Sequence, residues 1–250
     1  MRRRESEMPG PAIAVFRPDD GRLADAVDVL ESRGAAPVPD PMLATEPTGA
    51  TPRTDADYVV LTSTTGVELA VDAGWSPGDA TVCAIGPTTA NALCEAGSDV
   101  DVVPTEYTSS GLVDELAEAV DGARVEIARS DHGSAVLPDG LEAAGAYVHE
   151  TVLYRLVRPE DSGESAEIAA RGDLDAALFT SPLTVEHFLE AAEDRGVADE
   201  VRDGLESTVV AAIGEPTRQA AAELDLAVDV VPEDATFETL VDAAIERLEE

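Results

Sequence analysis

Asp57-Tyr-Val-Val-Leu-Thr62-Ser63 and Asp175-Ala-Ala-Leu-Phe-Thr180-Ser181 are two versions of one stretch, 118 residues apart. Each is an acid, an apolar run of strand length, and a Thr-Ser pair suited to end the strand and open a helix. Outward from this pair the copies continue. Ile85-Gly86-Pro-Thr-Thr89 matches Ile213-Gly214-Glu-Pro-Thr217, Val102-Val103-Pro104 matches Val230-Val231-Pro232, and Thr108-x-x-x-Leu112-Val113 matches Thr236-x-x-x-Leu240-Val241, all 128 residues apart. The extra residues fall in the acidic stretch near Glu193–Glu206, where a loop or a longer helix absorbs them. Four matches in one order make the chain an internal duplication.

Between the matched stretches, strands alternate with helices. Strands are predicted at Ile13–Phe16, Tyr58–Leu61, Thr81–Ile85, Val100–Val103, Arg124–Ala128 and Tyr147–Val157. Helical patterns fall at Leu23–Ser32, from Val67, at Ala90–Glu95, at Ser110–Val120 and up to Ala144. This alternation argues for parallel sheets built from βαβ units. Residues 45–54 read as polar and turn-rich, and Pro37, Pro39 and Pro41 as an extended connector.

The second half has no first strand-helix pair of its own, and Ile13–Gly34 can supply it. The expected architecture is therefore α/β, with two similar parallel-sheet lobes joined by a two-strand connector and one lobe discontinuous. Residues 11–35 plus 158–250 would form the discontinuous domain, and 36–157 the inserted one. Residues 1–10 are expected to be a disordered extension, with Met8 an alternative start. Connectors near Ala36–Asp40 and Tyr154–Pro159 would leave a hinged cleft between the lobes.

The charge is extreme: 52 acidic residues stand against 16 basic ones, a net −36, and every basic residue is Arg. Such a surface argues against nucleic-acid binding through phosphate neutralisation and repels anionic membranes. It fits a cytoplasmic protein of a salt-loving microbe, because at molar salt the Debye length falls to about 3 Å and self-repulsion is screened. Strong like charge also favours a monomer. The two cysteines, Cys83 and Cys94, form no Cys-x-x-Cys motif, and the three histidines show no metal-ligand spacing. No metal or cofactor is expected. There is no apolar run long enough to span a membrane, no Gly-x-Gly-x-x-Gly or P-loop motif, and no lysine for a Schiff base.

In open α/β sheets, ligands bind beyond the carboxyl ends of the strands, where both repeated motifs lie. Ser63 and Ser181 open helices; Gly86, Thr88 and Thr89, and in the other copy Thr217, sit at turns whose free N–H groups suit carboxylate or phosphate. Ordinary helix capping would use the same residues. Arg17 and Arg129 each end a strand and could pair with a carboxylate, or be solvated surface residues. Tyr154 lies on the second connector, where it could pack the hinge or donate a proton in the cleft.

Taken together, these residues resemble the uroporphyrinogen-III synthase family over nearly all of 11–247. The resemblance is carried by Phe16-Arg17-Pro18, Leu61-Thr62-Ser63-Thr-Thr-Gly66-Val67, Ala84-Ile85-Gly86-Pro87-Thr88-Thr89-Ala90, Gly145 to Arg155, Phe179-Thr180-Ser181-Pro182 and Ile213-Gly214. It implies flavodoxin-like lobes and a cofactor-free lyase. The implied substrate is hydroxymethylbilane, a linear tetrapyrrole carrying eight carboxylates, which the enzyme would close to uroporphyrinogen III with inversion of ring D and loss of water. On that resemblance Tyr154 assists departure of the hydroxyl. Ser63, Thr89, Ser181 and Thr217 match turn positions that contact the tetrapyrrole. Glu215-Pro216 departs from the family's Pro-Thr and places an acid beside an expected carboxylate site. The alternative reading is a non-catalytic tetrapyrrole- or small-anion-binding module on the same scaffold.

Overall fold

A computed structural model describes residues 10–250; the extension expected at residues 1–10, and the alternative start at Met8, lie outside the described residues except for Gly10. In chain order the elements are strand β1 (Ala12–Val15), helix α1 (Gly21–Ser32), β2 (Ala36–Pro39), β3 (Ala44–Pro47), β4 (Tyr58–Leu61), α2 (Thr64–Asp72), β5 (Thr81–Ala84), α3 (Pro87–Glu95) and α4 (Ser109–Leu116). They continue with β6 (Arg124–Ser130), α5 (Val136–Ala143), β7 (Tyr147–Val157), α6 (Glu164–Ala170), β8 (Ala176–Phe179), α7 (Pro182–Asp194), α8 (Ala198–Leu205), β9 (Val209–Ala212), α9 (Glu215–Glu223) and α10 (Phe237–Leu248).

The chain divides into two compact units. One runs up to Ala44 and resumes over Val157–Glu250; the other is Thr45–Leu156. The first holds a sheet of order β2-β1-β8-β9, the second a sheet of order β3-β7-β6-β4-β5. β1 pairs in parallel with both β2 and β8, and β8 with β9. β4 pairs in parallel with β5 and β6, and β6 with β7. The two orders correspond strand for strand once β3 is set aside, with β1 and β2 in the places of β6 and β7.

The strands are short apolar runs because helices cover both faces of each sheet. In the first unit one face packs Phe16, Phe179 and Phe188, with ring centroids 4.7–5.6 Å apart. The other face packs Ile13, Val15 and Leu178 against Leu30 and Leu240. In the second unit Val59, Leu61, Leu93 and Leu153 fill one face, and Val60, Ile127, Leu137 and Leu141 the other.

The repeated acids at the strand starts tie neighbouring strands together. Asp175 accepts from the Ala12 N–H at 2.7 Å, and Asp57 from the Arg124 N–H at 2.8 Å. A second repeated pair works at the outer strands: Asp101 accepts from Val82 N at 2.8 Å and Asp229 from Val210 N at 2.9 Å. These side chains replace part of a backbone ladder, so the strand expected at Val100–Val103 reduces to a single bridge between Cys83 and Val102, mirrored by Ala211 and Val230.

Three expectations are corrected. The Pro-rich run near Ala36–Asp40 is edge strand β2, not a connector, and belongs to the first unit. Ala36 N donates to Pro11 O at 2.9 Å and Asp40 N to Val15 O at 3.0 Å. Pro37 and Pro39 therefore present their missing N–H groups to the outer side, where an edge strand needs none. The turn-rich reading of 45–54 missed β3, which joins the second sheet beside β7. Helix α3 begins at Pro87 rather than Ala90, because proline is suited to the first helical position.

Just past β2, the buried Asp40 carboxylate accepts from Gly163 N at 2.9 Å and Ser165 N at 2.8 Å, and bonds the Ser165 hydroxyl. It thereby satisfies the start of α6. Replacing Asp40 by Ala leaves these buried donors unpartnered, so unfolding in urea should show a loss of about 3 kcal/mol. Asp40→Asn, which keeps a carbonyl acceptor, should lose less. Equal, near-zero losses would exclude this role.

Candidate functional site

In the second unit, β4 ends at Leu61 and the chain turns through Thr62-Ser63 into α2. Ser63 is the N-cap of that helix, with its hydroxyl accepting from Gly66 N at 3.0 Å. The same hydroxyl lies 3.0 Å from the phenol oxygen of Tyr154. Tyr154 is only 8% exposed and sits level with the end of β6, paired with Ser130. Gly66 leaves room for this arrangement: a Cβ there would lie 3.1 Å from Ser63 Oγ and 3.5 Å from Leu153 Cδ1. Either hydroxyl can donate in this pair; with Gly66 N–H on one acceptor position of Ser63, a serine that donates to Tyr154 leaves the tyrosine proton for a third group.

Ile85 N donates to Leu61 O at 3.1 Å, which sets the Ile-Gly turn beside the Thr-Ser turn. Gly86 is the N-cap of α3 and carries no capping side chain. Pro87 has no N–H, so Thr88 and Thr89 provide the donors without intrahelical acceptors, at the positive end of the helix dipole. Thr88 is exposed and Thr89 buried. A neighbour absent from the motif readings is Tyr107, whose Cβ and Cγ lie over Gly86.

Arg129 does not stand open to a ligand. It is buried, ion-paired with Glu150, and donates to Ser134 O at 2.5 Å. Gly133 makes the space, since a Cβ there would lie 2.5 Å from the guanidinium.

The first unit repeats the turns with different side chains. Ser181 caps α7 in a reciprocal capping box with Thr184. Ile213 N donates to Phe179 O at 2.9 Å, again setting the two turns side by side. Gly214 caps α9 with the backbone of Gly86: φ −171° and ψ 176° against −170° and 175°. Thr217, like Thr89, is buried. Proline at the second helical position removes one donor that α3 keeps. Arg17, the counterpart of Arg129 by strand register, lies 4.5 Å over the Phe237 ring, with no carboxylate pair among the described residues. Burial, and then repulsion from Arg22, lowers its pKa.

Glu215 does not project as a free acid at this turn. Arg218 donates to it through Nε at 2.8 Å and Nη2 at 2.5 Å, and Gln219 at 3.0 Å. The Arg218 hydrogen bonds, then that of Gln219, hold its pKa down at about 2. The sequence-predicted residues thus group by unit: Ser63, Gly86, Thr88, Thr89, Arg129 and Tyr154 in one, Arg17, Ser181 and Thr217 in the other. Only Ser63 and Tyr154 touch each other through side chains. Among the described residues no cluster of three potential metal ligands occurs, and no helix is long and apolar enough to cross a membrane.

The family model described as "Uroporphyrinogen-III synthase HemD" matches residues 24–242. A putative uroporphyrinogen-III synthase of Methanothermobacter thermautotrophicus is 35% identical, over 92% of this chain and 96% of that protein. The uroporphyrinogen-III synthase of Synechococcus elongatus is 29% identical over 75% of this chain and 74% of its own length. In fold, the chain resembles a mutant uroporphyrinogen III synthase of Thermus thermophilus, with a TM-score of 0.67 at 21% identity, covering 96% of this chain and 99% of that one.

The Glu215 arrangement has a direct solution signature. Its folded pKa is depressed, so its contribution to stability is present above the ordinary carboxyl value of 4.5 and lost as the pH falls through about 2. An NMR titration should place Glu215 near the latter value, and Arg218→Gln should return it toward the former. A Glu215 that titrates ordinarily in the unsubstituted protein would show the pair does not form.

Proposed function

As a member of the uroporphyrinogen-III synthase family, this chain, we propose, cyclises hydroxymethylbilane to uroporphyrinogen III. The substrate's terminal C–O bond breaks and the hydroxyl leaves, with one proton, as water. The resulting electrophilic carbon is attacked at the substituted position of ring D. A spiro intermediate forms, the bond from that ring D position to the ring C methylene breaks, the released methylene carbon is recaptured at the free α-position of ring D, and loss of the proton from that position completes the macrocycle. No redox change occurs and no external group is consumed.

The observation that carries this reading is the Ser63–Tyr154 hydrogen bond at 3.0 Å, with the tyrosine largely buried. Ser63 donates to the phenol oxygen, and the phenol proton is directed to the departing hydroxyl. The serine also stabilises the charge that develops on the phenol oxygen as its proton leaves, a task for a preorganised donor. Arginine and lysine need not supply the carboxylate contacts: the N–H groups of Thr88 and Thr89 at the start of α3 do so locally. Ser181, Thr217 and Arg17, on the first unit, are further candidates for substrate contact, while Arg129, paired with Glu150, is taken up within the second unit. The rest of the task is positioning, since a flexible chain must be held in one geometry faster than it closes without inversion.

Full-length protein in molar KCl, given hydroxymethylbilane, should yield the type III isomer. Only type I product, at the uncatalysed rate, would eliminate the activity and leave a binding module. Tyr154→Phe should lower kcat by roughly tenfold or more, as loss of a proton donor does. Ser63→Ala should have a smaller effect of the same sign. A Tyr154→Phe enzyme with the original kcat would remove the tyrosine from the mechanism.

A further inference from the structure

We propose that the exposed ring of Tyr107 is a stacking platform for one pyrrole ring of the substrate, set so that an acidic arm of that pyrrole reaches the N-terminus of α3. This deepens the tetrapyrrole reading above and rests on it. Tyr107 immediately precedes Thr108, the N-cap of α4. It stands against the Gly86 turn so closely that a Cβ at position 86 would lie 3.3 Å from Tyr107 Cβ and 3.5 Å from Cγ. The residue is nonetheless 61% exposed, in a chain where aromatics make up 4% of residues.

A single exposed aromatic carries little meaning alone. Here the duplication supplies an internal control. The two turns share their backbone angles, their buried threonines and their threonine-capped following helices, Thr108 accepting from Gly111 N and Thr236 from Thr239 N. Even the flanking Val103 and Val231 are exposed alike, at 38% and 37%. The residue 128 positions after Tyr107, however, is Ala235. At Gly214 the one neighbour a Cβ would meet is Pro216 Cδ, at 3.9 Å. The same turn therefore forms with alanine and no aromatic cover. The fold does not require Tyr107, and its ring faces solvent where a ligand can reach it.

The chemistry beside it specifies the ligand class. A phenol ring face takes a flat ring by offset stacking, or takes an N–H edge. The free N–H groups of Thr88 and Thr89 take a carboxylate. A flat N–H heterocycle bearing short carboxylate arms satisfies both at once, and a pyrrole carrying acetate and propionate is such a group.

Steady-state kinetics on the full chain with hydroxymethylbilane in molar KCl test this. Tyr107→Ala should raise KM about tenfold, the usual scale for removing an aromatic that stacks a flat heterocycle, with kcat changed less than about twofold. It should melt with the unsubstituted protein, because it installs the residue the sister turn already has. Tyr107→Phe should keep the original KM. Tyr107→Leu, which covers Gly86 without a π face, should behave like Tyr107→Ala. An unchanged KM in both Tyr107→Ala and Tyr107→Leu, in an enzyme that makes the type III isomer, overturns the platform and leaves the activity standing. So does a Tyr107→Phe enzyme as impaired as Tyr107→Ala. If the unsubstituted protein makes only type I product, the activity fails and the platform fails with it.

Discussion

The N–H of Ala12 donates to the carboxylate of Asp175 across 163 residues of chain, at 2.7 Å. That bond sits at the start of β1, a central strand held between β2 and β8. The first sheet therefore cannot be completed by either end of the chain alone. Its register depends on joining the first strand to a sequence that lies beyond an entire folded unit. Closing a flexible loop of that length would cost entropy that grows with its logarithm. The insert reduces the cost, because it enters through β3 and leaves through β7, which are neighbours in its own sheet. Once folded, it presents two adjacent chain ends rather than a long open loop. Asp40, just before the first crossing, and Gly163 and Ser165, just after the second, are hydrogen-bonded together inside the first unit. The carboxylate thus fixes the place where both crossings begin and end.

The same frame addresses the electrostatic difficulty of a chain of net charge −36. A polycarboxylate approaching it is repelled at long range, and only salt shortens that range. Close to the strand ends the balance is different. Helices α3 and α9 begin at glycines, so no capping side chain takes up their first N–H groups. The one acid at these turns, Glu215, is drawn back along its own helix by Arg218 and Gln219. Arg17 lies on Phe237 and has no carboxylate partner among the described residues. Helix starts of this kind present short-range N–H donors within a surface of strong negative charge.

What was legible in the sequence follows from which forces are local. Apolar strand runs, Thr-Ser turns and glycines after strands depend on neighbouring residues, and they led to the duplication, the parallel sheets and the discontinuous lobe. The role of Asp57 and Asp175 was not legible, because their partners Arg124 and Ala12 are remote in sequence. Arg129 looked like a free cation at a strand end, since nothing local announces the ion pair with Glu150 on the next strand. The Pro-rich run at 37–41 looked like a connector because proline excludes a central strand but not an edge, and edge status is a property of the sheet. Asp101 shortened the strand expected at Val100–Val103 by substituting a carboxylate for part of a ladder, as Asp229 does in the other copy.

The duplication also separates what the fold requires from what it permits. Gly86 and Gly214 agree within a degree in both backbone angles and share their buried threonines, yet several neighbouring side chains differ. Pro87-Thr88 faces Glu215-Pro216 across the alignment, Tyr107 faces Ala235, and the buried, paired Arg129 faces the stacked Arg17. Packing demands hold the backbone of both turns to one geometry, since each begins a helix against a buried sheet. No such demand acts on the groups that project past the strand ends. The second unit keeps two consecutive free N–H donors, an aromatic face and a hydrogen-bonded Ser63–Tyr154 pair, whereas the first interrupts its donors with proline and internally neutralises its acid. The two copies thus keep one backbone and differ in the groups that project past the strand ends.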